Sequence, residues 1–94
     1  TFDTIMRAVA ERYDVRLADM TSKRRPQAIA GPRQVAMYLC RSLTKSSLPE
    51  IANAFGKTHA TVLHAFRAVE RRMAQDSELA QRVTQIAHHL EHKN

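Results

Sequence analysis

Residues 56 to 72 read GKTHATVLHAFRAVERR, a glycine followed at once by a segment with helical periodicity. At that period the segment carries two unlike stripes. Val62, Phe66, Val69 and Met73 form an apolar one, and Ala60, His64, Arg67 and Arg71 form another nearly opposite. The second stripe, with His59 and Thr61 at its head, supplies hydrogen-bond donors and cations but no carboxylate. Such a set suits an anionic surface with edges to be read; it is poorly equipped to cut a bond. Acid–base catalysis needs converging carboxylates or a histidine paired with one, and no such grouping stands out. A phosphate-cradling G-x-x-x-x-G-K-[ST] loop is excluded because Gly31 and Gly56 are the only glycines. The chain is therefore expected not to be an enzyme.

Two further groups deserve weighing as reactive centres. Cys40 is the single cysteine, so it forms no internal disulfide, which fits a reducing cytoplasm. It falls on an inward helical face, where a packed thiol is expected rather than a nucleophile. His88 and His92 are four residues apart with His89 and Glu91 beside them, a spacing that can hold a metal. A wet helix C-terminus, where histidines suit the helix dipole, is the preferred explanation. No metal is expected.

Charge narrows the partner. The net charge is +6, and no acidic residue occurs from Arg24 through Pro49. Lys23, Arg24 and Arg25 are consecutive, Arg33, Arg41, Lys45 and Lys57 follow, and acidic residues gather at the two ends. That asymmetry favours a surface that docks on a polyanion. No apolar run approaches the about 20 residues that span a bilayer.

The elements that must position these residues read as helices. Ninety-four residues make one domain, and sparse glycine and proline with little strand-period alternation predict an all-α fold. The first 21 residues hold a helix from Asp3 to Tyr13, capped by Thr1 or Asp3, and a short helical turn from Arg16 to Met20. Ile5, Ala8, Val9 and Arg12 lie along the inner face of that first helix, Arg12 by its aliphatic stem. Residues 22–31 form a basic loop, and Pro32 is placed as the first residue of the next helix, where a missing N–H costs nothing. Val35, Ala36, Leu39, Cys40 and Leu43 point inward from it. In SLPEIANAF, Ser47 and Glu50 have capping-box spacing, and Ile51, Ala54 and Phe55 face the core. Gly56 ends that helix, Thr58 caps the next, and a last helix over 77–92 carries Leu79, Val83, Ile86 and Leu90. About six helices are expected, counting the short one.

A short helix, a tight glycine turn and a longer helix, over residues 47–72, make a helix-turn-helix. Its second helix is the one that enters the major groove of DNA, first turn foremost. His59 can donate to a base, and Ala60 and Thr61 are small enough to pack on a thymine methyl. His64 and Arg67 lie further along, where phosphates come near.

The stretch SKRRPQAIAGPRQVAMYLCRSLTKSSLPEIANAFGKTHATVLHAFRAVE resembles the C-terminal DNA-binding domain (domain IV) of the bacterial chromosomal replication initiator family DnaA. SKRR, PRQVAMYL, LTKSSLPEIANAFG and HATVLHA carry the likeness by their order and spacing, and the last helix matches in character only. The resemblance implies double-stranded DNA as partner, bound at short asymmetric boxes (DnaA boxes) of the replication origin in a cytoplasmic, nucleoid-associated protein. It places Arg25 in a minor groove, whose negative potential favours a guanidinium. Thr58, His59, Ala60, Thr61 and Pro49 fall at base-reading positions. Lys23, Arg24, Arg33, Gln34, Arg41, Lys45, Leu48, Lys57, His64 and Arg67 fall along phosphates.

This chain departs from the family at the site itself. The usual motif is aspartate-histidine-threonine-threonine after two glycines and a basic residue; here it is Thr58, His59, Ala60 and Thr61 on a turn one residue shorter. An acceptor for a cytosine amino group and one hydroxyl are lost, and each such contact is worth ~1–3 kcal/mol of discrimination. A basic residue often stands where this chain has Gly31.

The resemblance also implies an ATPase module before Thr1, so ATP or ADP and contacts with further initiator subunits belong outside this chain, which needs no cofactor of its own. The start at Thr1, without methionine, fits an excised domain or a chain whose start is missing. Two other functions fit the same shape. A transcriptional regulator can use this fold. A protein-binding or anionic-membrane domain would use Arg7 and Arg12, but Asp3, Glu11 and Asp14 share that segment and weaken the idea.

Overall fold

The computed structural model describes residues 1–92 and is all-helical over them. Five α-helices, α1 (Phe2–Tyr13), α2 (Gln27–Leu43), α3 (Leu48–Phe55), α4 (His59–Gln75) and α5 (Ser77–Glu91), are joined by short turns, with a 3-10 turn at Leu17–Met20. α2 and α4 pack together at the centre; α3 sits against α4, and α1 and α5 close the other side. Phe55, Met20, Met37, Leu39, Ile51, Val9, Val35, Val62 and Val69 are among the fully buried side chains. No described helix is long and apolar enough to cross a membrane.

Local chemistry accounts for most boundaries. Thr1 caps α1 by accepting the Thr4 N–H at 3.3 Å, and Asp14 stops it in the left-handed region at φ 55°. The 3-10 turn is held by Asp19, whose carboxylate accepts the Arg16 N–H at 3.1 Å and the Arg16 guanidinium at 3.3 Å. Asp76 caps α5 through the Leu79 N–H at 3.1 Å.

Three expectations from the sequence are corrected. α2 begins at Gln27, five residues before Pro32, which lies inside the helix. Pro26 starts it instead, its carbonyl accepting the Ile29 and Ala30 N–H groups at 2.8 Å. Proline normally bars the preceding residue from helical geometry by a clash with that residue's Cβ. Gly31 has no Cβ, which removes that clash, and the helix runs on through Pro32 at the cost of the hydrogen bond that a residue 32 N–H would give the Ala28 carbonyl. The basic loop is correspondingly shorter than 22–31 and ends at Pro26.

The inner face of α1 is Ile5, Met6, Val9 and Ala10. Ala8 is only partly buried, and Arg12 is exposed, donating to the Gln85 side chain of α5 at 2.9 Å. In α4 the buried positions are Val62, Ala65, Ala68 and Val69, whereas Phe66 and Met73 are half-buried. The alanines let α4 lie close to α2, and Phe66 closes the rim by stacking on Tyr38 at 5.0 Å between ring centroids.

Candidate nucleic-acid interface

The site is built on α3, its turn and the first turn of α4. Ser47 and Glu50 cap α3 reciprocally: the Glu50 N–H donates to Ser47 Oγ at 3.2 Å and the Ser47 N–H donates to Glu50 Oε1 at 2.8 Å. The Ser47 N–H foremost, and the Ser47 side chain after it, hold the Glu50 carboxyl below its usual range. Pro49 occupies the first turn, where no donor is missed. At the other end Gly56 adopts φ 67° and ψ 35°. The Gly56 N–H then reaches the Asn53 carbonyl at 3.3 Å and the Lys57 N–H reaches the Ala52 carbonyl at 2.9 Å, a Schellman closure.

Thr58 caps α4 through the Thr61 N–H at 3.2 Å, and the two threonine hydroxyls lie 3.0 Å apart. Phe55 and Val62, both 0% exposed, pin this unit to the core from either side of the turn. The opposite edge is therefore thrown outward: Thr58, His59, Ala60, Thr61, His64, Arg67 and Arg71 are all exposed. The free N–H groups of the first turn add partial positive charge there.

The second component is the basic loop. Lys23, Arg24 and Arg25 are exposed, and their side chains make no hydrogen bond among the described residues. Its backbone, by contrast, is held firmly. Arg33 is buried at 8% exposure. Its Nε donates to the Asp19 carbonyl at 3.0 Å, and its Nη2 donates to Ser22 Oγ and to the Arg24 carbonyl, both at 2.9 Å. Lys57 Nζ donates to the Ser22 carbonyl at 2.6 Å. Burial, then the charges of Arg33 and Lys23, lower the Lys57 pKa.

Arg33 and Lys57, both expected along phosphates, are thus engaged with the loop in the free protein. Their donors are turned to loop oxygens because the loop closes over the start of α2, and each cation fills carbonyls that the irregular backbone leaves unpaired. Asp19 sits beneath. Burial pushes its carboxyl up, but the Arg16 hydrogen bonds and the charges of Arg16 and Arg24 prevail and leave it below its usual value.

The remaining expected positions form a separate group at the other end of α3, which is about 12 Å long at 1.5 Å per residue. Arg41 and Lys45 are exposed beside the α2–α3 turn, with Leu48 half-buried and Pro49 exposed. Arg41 Nη1 donates to the Ser46 carbonyl at 2.9 Å, so it also braces that turn. Gln34 is half-buried on α2.

Ser22 is the residue that sequence reasoning missed. It receives Arg33, Lys57 and the Arg24 N–H, the last at 3.3 Å. Its only sequence signal was its position just before three consecutive cations. Elsewhere, the rings of His88 and His92 are 4.0 Å apart, and His92 Nδ1 lies 2.9 Å from the His88 carbonyl. No cluster of three or more metal-type ligands occurs among the described residues.

Comparison with known proteins agrees with this geometry. A family model described as the bacterial dnaA protein helix-turn-helix matches residues 2–69. The chromosomal replication initiator protein DnaA of Methylacidiphilum infernorum (isolate V4) is 50% identical over 91 residues, covering 96% of this chain and 20% of the relative. That of Gluconobacter oxydans (strain 621H) is 48% identical over 92 residues, covering 97% of this chain and 19% of the relative. A crystal structure of a DNA replication initiation factor superposes with TM-score 0.78 at 36% identity, covering 92% of this chain and 28% of that one. The chain thus spans about a fifth of the length of the curated relatives it matches.

Proposed function

The chain belongs to the bacterial DnaA helix-turn-helix family, and from that premise we propose that it binds double-stranded DNA sequence-specifically, targeting a chromosomal replication initiator to boxes at the origin. The observation that carries this reading is the outward edge at the capped start of α4, with Thr58, His59, Ala60 and Thr61 exposed while Phe55 and Val62 are buried. In a helix-turn-helix that edge meets base edges in the major groove. Arg25 enters the adjoining minor groove, and Pro49 packs on a thymine methyl. Lys23, Arg24, Gln34, Arg41, Lys45, Leu48, His64 and Arg67 lie along the backbone. The chain itself performs no catalysis; nucleotide binding and contacts with further initiator subunits belong to the rest of the longer protein.

The test is selection of duplexes from a random pool, followed by affinity for the recovered sequence and for its scramble at two salt concentrations. Phosphate attraction alone weakens both alike as salt rises. A recovered box must bind at least about a thousandfold tighter than its scramble, the low end for specific binders. Equal affinity for both sequences refutes the reading.

A further inference from the structure

Two DNA-facing elements lie 35 residues apart in sequence and meet at one residue, Ser22. We infer that Lys57 is a positioning residue which, with Arg33, clamps Ser22 and so fixes the basic loop relative to the recognition helix, making minor-groove and major-groove reading one coupled event. The inference rests on the DNA-binding reading and adds to it which residue links the two halves of the site.

The geometry is that of a clamp. Lys57 directly precedes the cap of α4, and its own N–H closes α3, so its backbone moves with the helix-turn-helix. Its ammonium holds the Ser22 carbonyl at 2.6 Å. Arg33, from α2, holds the hydroxyl of the same serine and the carbonyl of Arg24. Ser22 is thereby gripped through two atoms by two helical units, and Arg25 follows Arg24 directly. A lysine serving only a phosphate would stay in water; this one is half-buried near two other cations, Arg33 and Lys23, so that burial first and their charges second disfavour its own charge. What it gains there is the loop carbonyl. A loop so held arrives at the duplex with its backbone ordered, and no entropy is lost in ordering it on binding.

The experiment uses the whole chain and a duplex recovered by selection with the wild type. If the wild type recovers no preferred sequence, the DNA-targeting reading fails, and the clamp is then left without a function. With a recovered duplex, Arg25→Ala is measured alone and together with Lys57→Met, which keeps the aliphatic stem and removes the ammonium. The expected result is that Arg25→Ala weakens binding roughly tenfold in the wild type and less than about twofold beside Lys57→Met, a coupled pair. Discrimination of A·T from G·C at the minor-groove end collapses in Lys57→Met, while discrimination at the major-groove end is kept. Lys57→Arg, which can donate to the same carbonyl, restores the Arg25 effect.

Thermal unfolding checks that Lys57→Met still folds. If it does not, Ser22→Ala, which removes the hydroxyl held by Arg33, is measured in its place and must likewise shrink the Arg25 effect. A tenfold Arg25 effect that survives intact, joined to a uniform loss of affinity and a salt slope flatter by about one, identifies Lys57 as a phosphate ligand and overturns the inference.

Discussion

Replacing Gly56 by alanine tests the helix-turn-helix geometry with little else disturbed. A Cβ built at Gly56 meets nothing within 4 Å, so any cost is conformational and not a clash. The residue stands at φ 67°, ψ 35°, in the left-handed region where an L side chain pays about 1–2 kcal/mol. Alanine also restricts the unfolded chain, which returns about 0.4–1 kcal/mol. The net loss is about 1 kcal/mol, or about 4–8 °C in Tm for a domain of this size. Asparagine tolerates this conformation better and should lose less. Urea unfolding of the wild type, Gly56→Asn and Gly56→Ala should rank stability in that order with an unchanged m-value. Asp14 provides the control, because it is the only non-glycine residue at positive φ among those described. Asp14→Gly relieves the same strain while loosening the unfolded chain, so it should change stability by less than about 0.5 kcal/mol. If Gly56→Ala is as stable as the wild type, the left-handed cap is not what sets the angle between α3 and α4.

Two substitutions separate reading from holding: His59→Ala should erode preference for the selected box more than affinity for its scramble, whereas Arg41→Ala should weaken both and flatten the salt slope by about one. Titration by fluorescence anisotropy at several salt concentrations decides, and the reverse pattern shows either assignment to be wrong. Asp19 has a folded pKa below its ordinary value of 3.8, so its stabilising contribution is whole above that value and lost as pH falls through the lower one. The urea midpoint of Asp19→Asn should therefore fall less than that of the wild type between neutral pH and the acid limb. Burial pushes the Cys40 thiol up to about 12, so an aromatic disulfide reagent should label it at neutral pH only as fast as the domain opens, and at the free-thiol rate in denaturant.

What the sequence made legible was local. Ser47 and Glu50, Gly56, and Thr58 with Thr61 each act across three or four residues, so their spacing alone located α3, the turn and the start of α4. The exposed edge at the start of α4 was legible for the same reason, since Phe55 and Val62 bracket it. Pro32 misled because its usual place at a helix start is a statistical preference; here it lies inside α2, where the preceding glycine eases one clash and one backbone hydrogen bond is given up. The stripe of α4 misled because alanine is ambiguous. Ala65 and Ala68 are buried only because α2 comes close, and nothing within the helix announces that. Arg33 and Lys57 were legible as cations but not as clamps. Their partners stand 11 and 35 residues away at Ser22, and sequence reports charge without reporting which oxygen receives it.

That difference between charge and availability has a measurable consequence. A cation contributes to the salt dependence of DNA binding by releasing counterions from a phosphate it neutralises. Sequence reasoning puts eight lysines and arginines on the duplex: Lys23, Arg24, Arg25, Arg33, Arg41, Lys45, Lys57 and Arg67. Two of these, Arg33, which is buried, and Lys57, which is half-buried, are turned to loop oxygens of Asp19, Ser22 and Arg24, which leaves six exposed. At about 0.9 per phosphate on duplex DNA, the slope of log affinity against log salt should be about −5 and not about −7. Anisotropy titrations between about 50 and 200 mM salt span the range over which such slopes are usually resolved. A slope near −7 would mean that both clamp residues leave the loop when DNA arrives. The loop would then be rebuilt on binding, and its order in the free protein would say nothing about how Arg25 finds its groove.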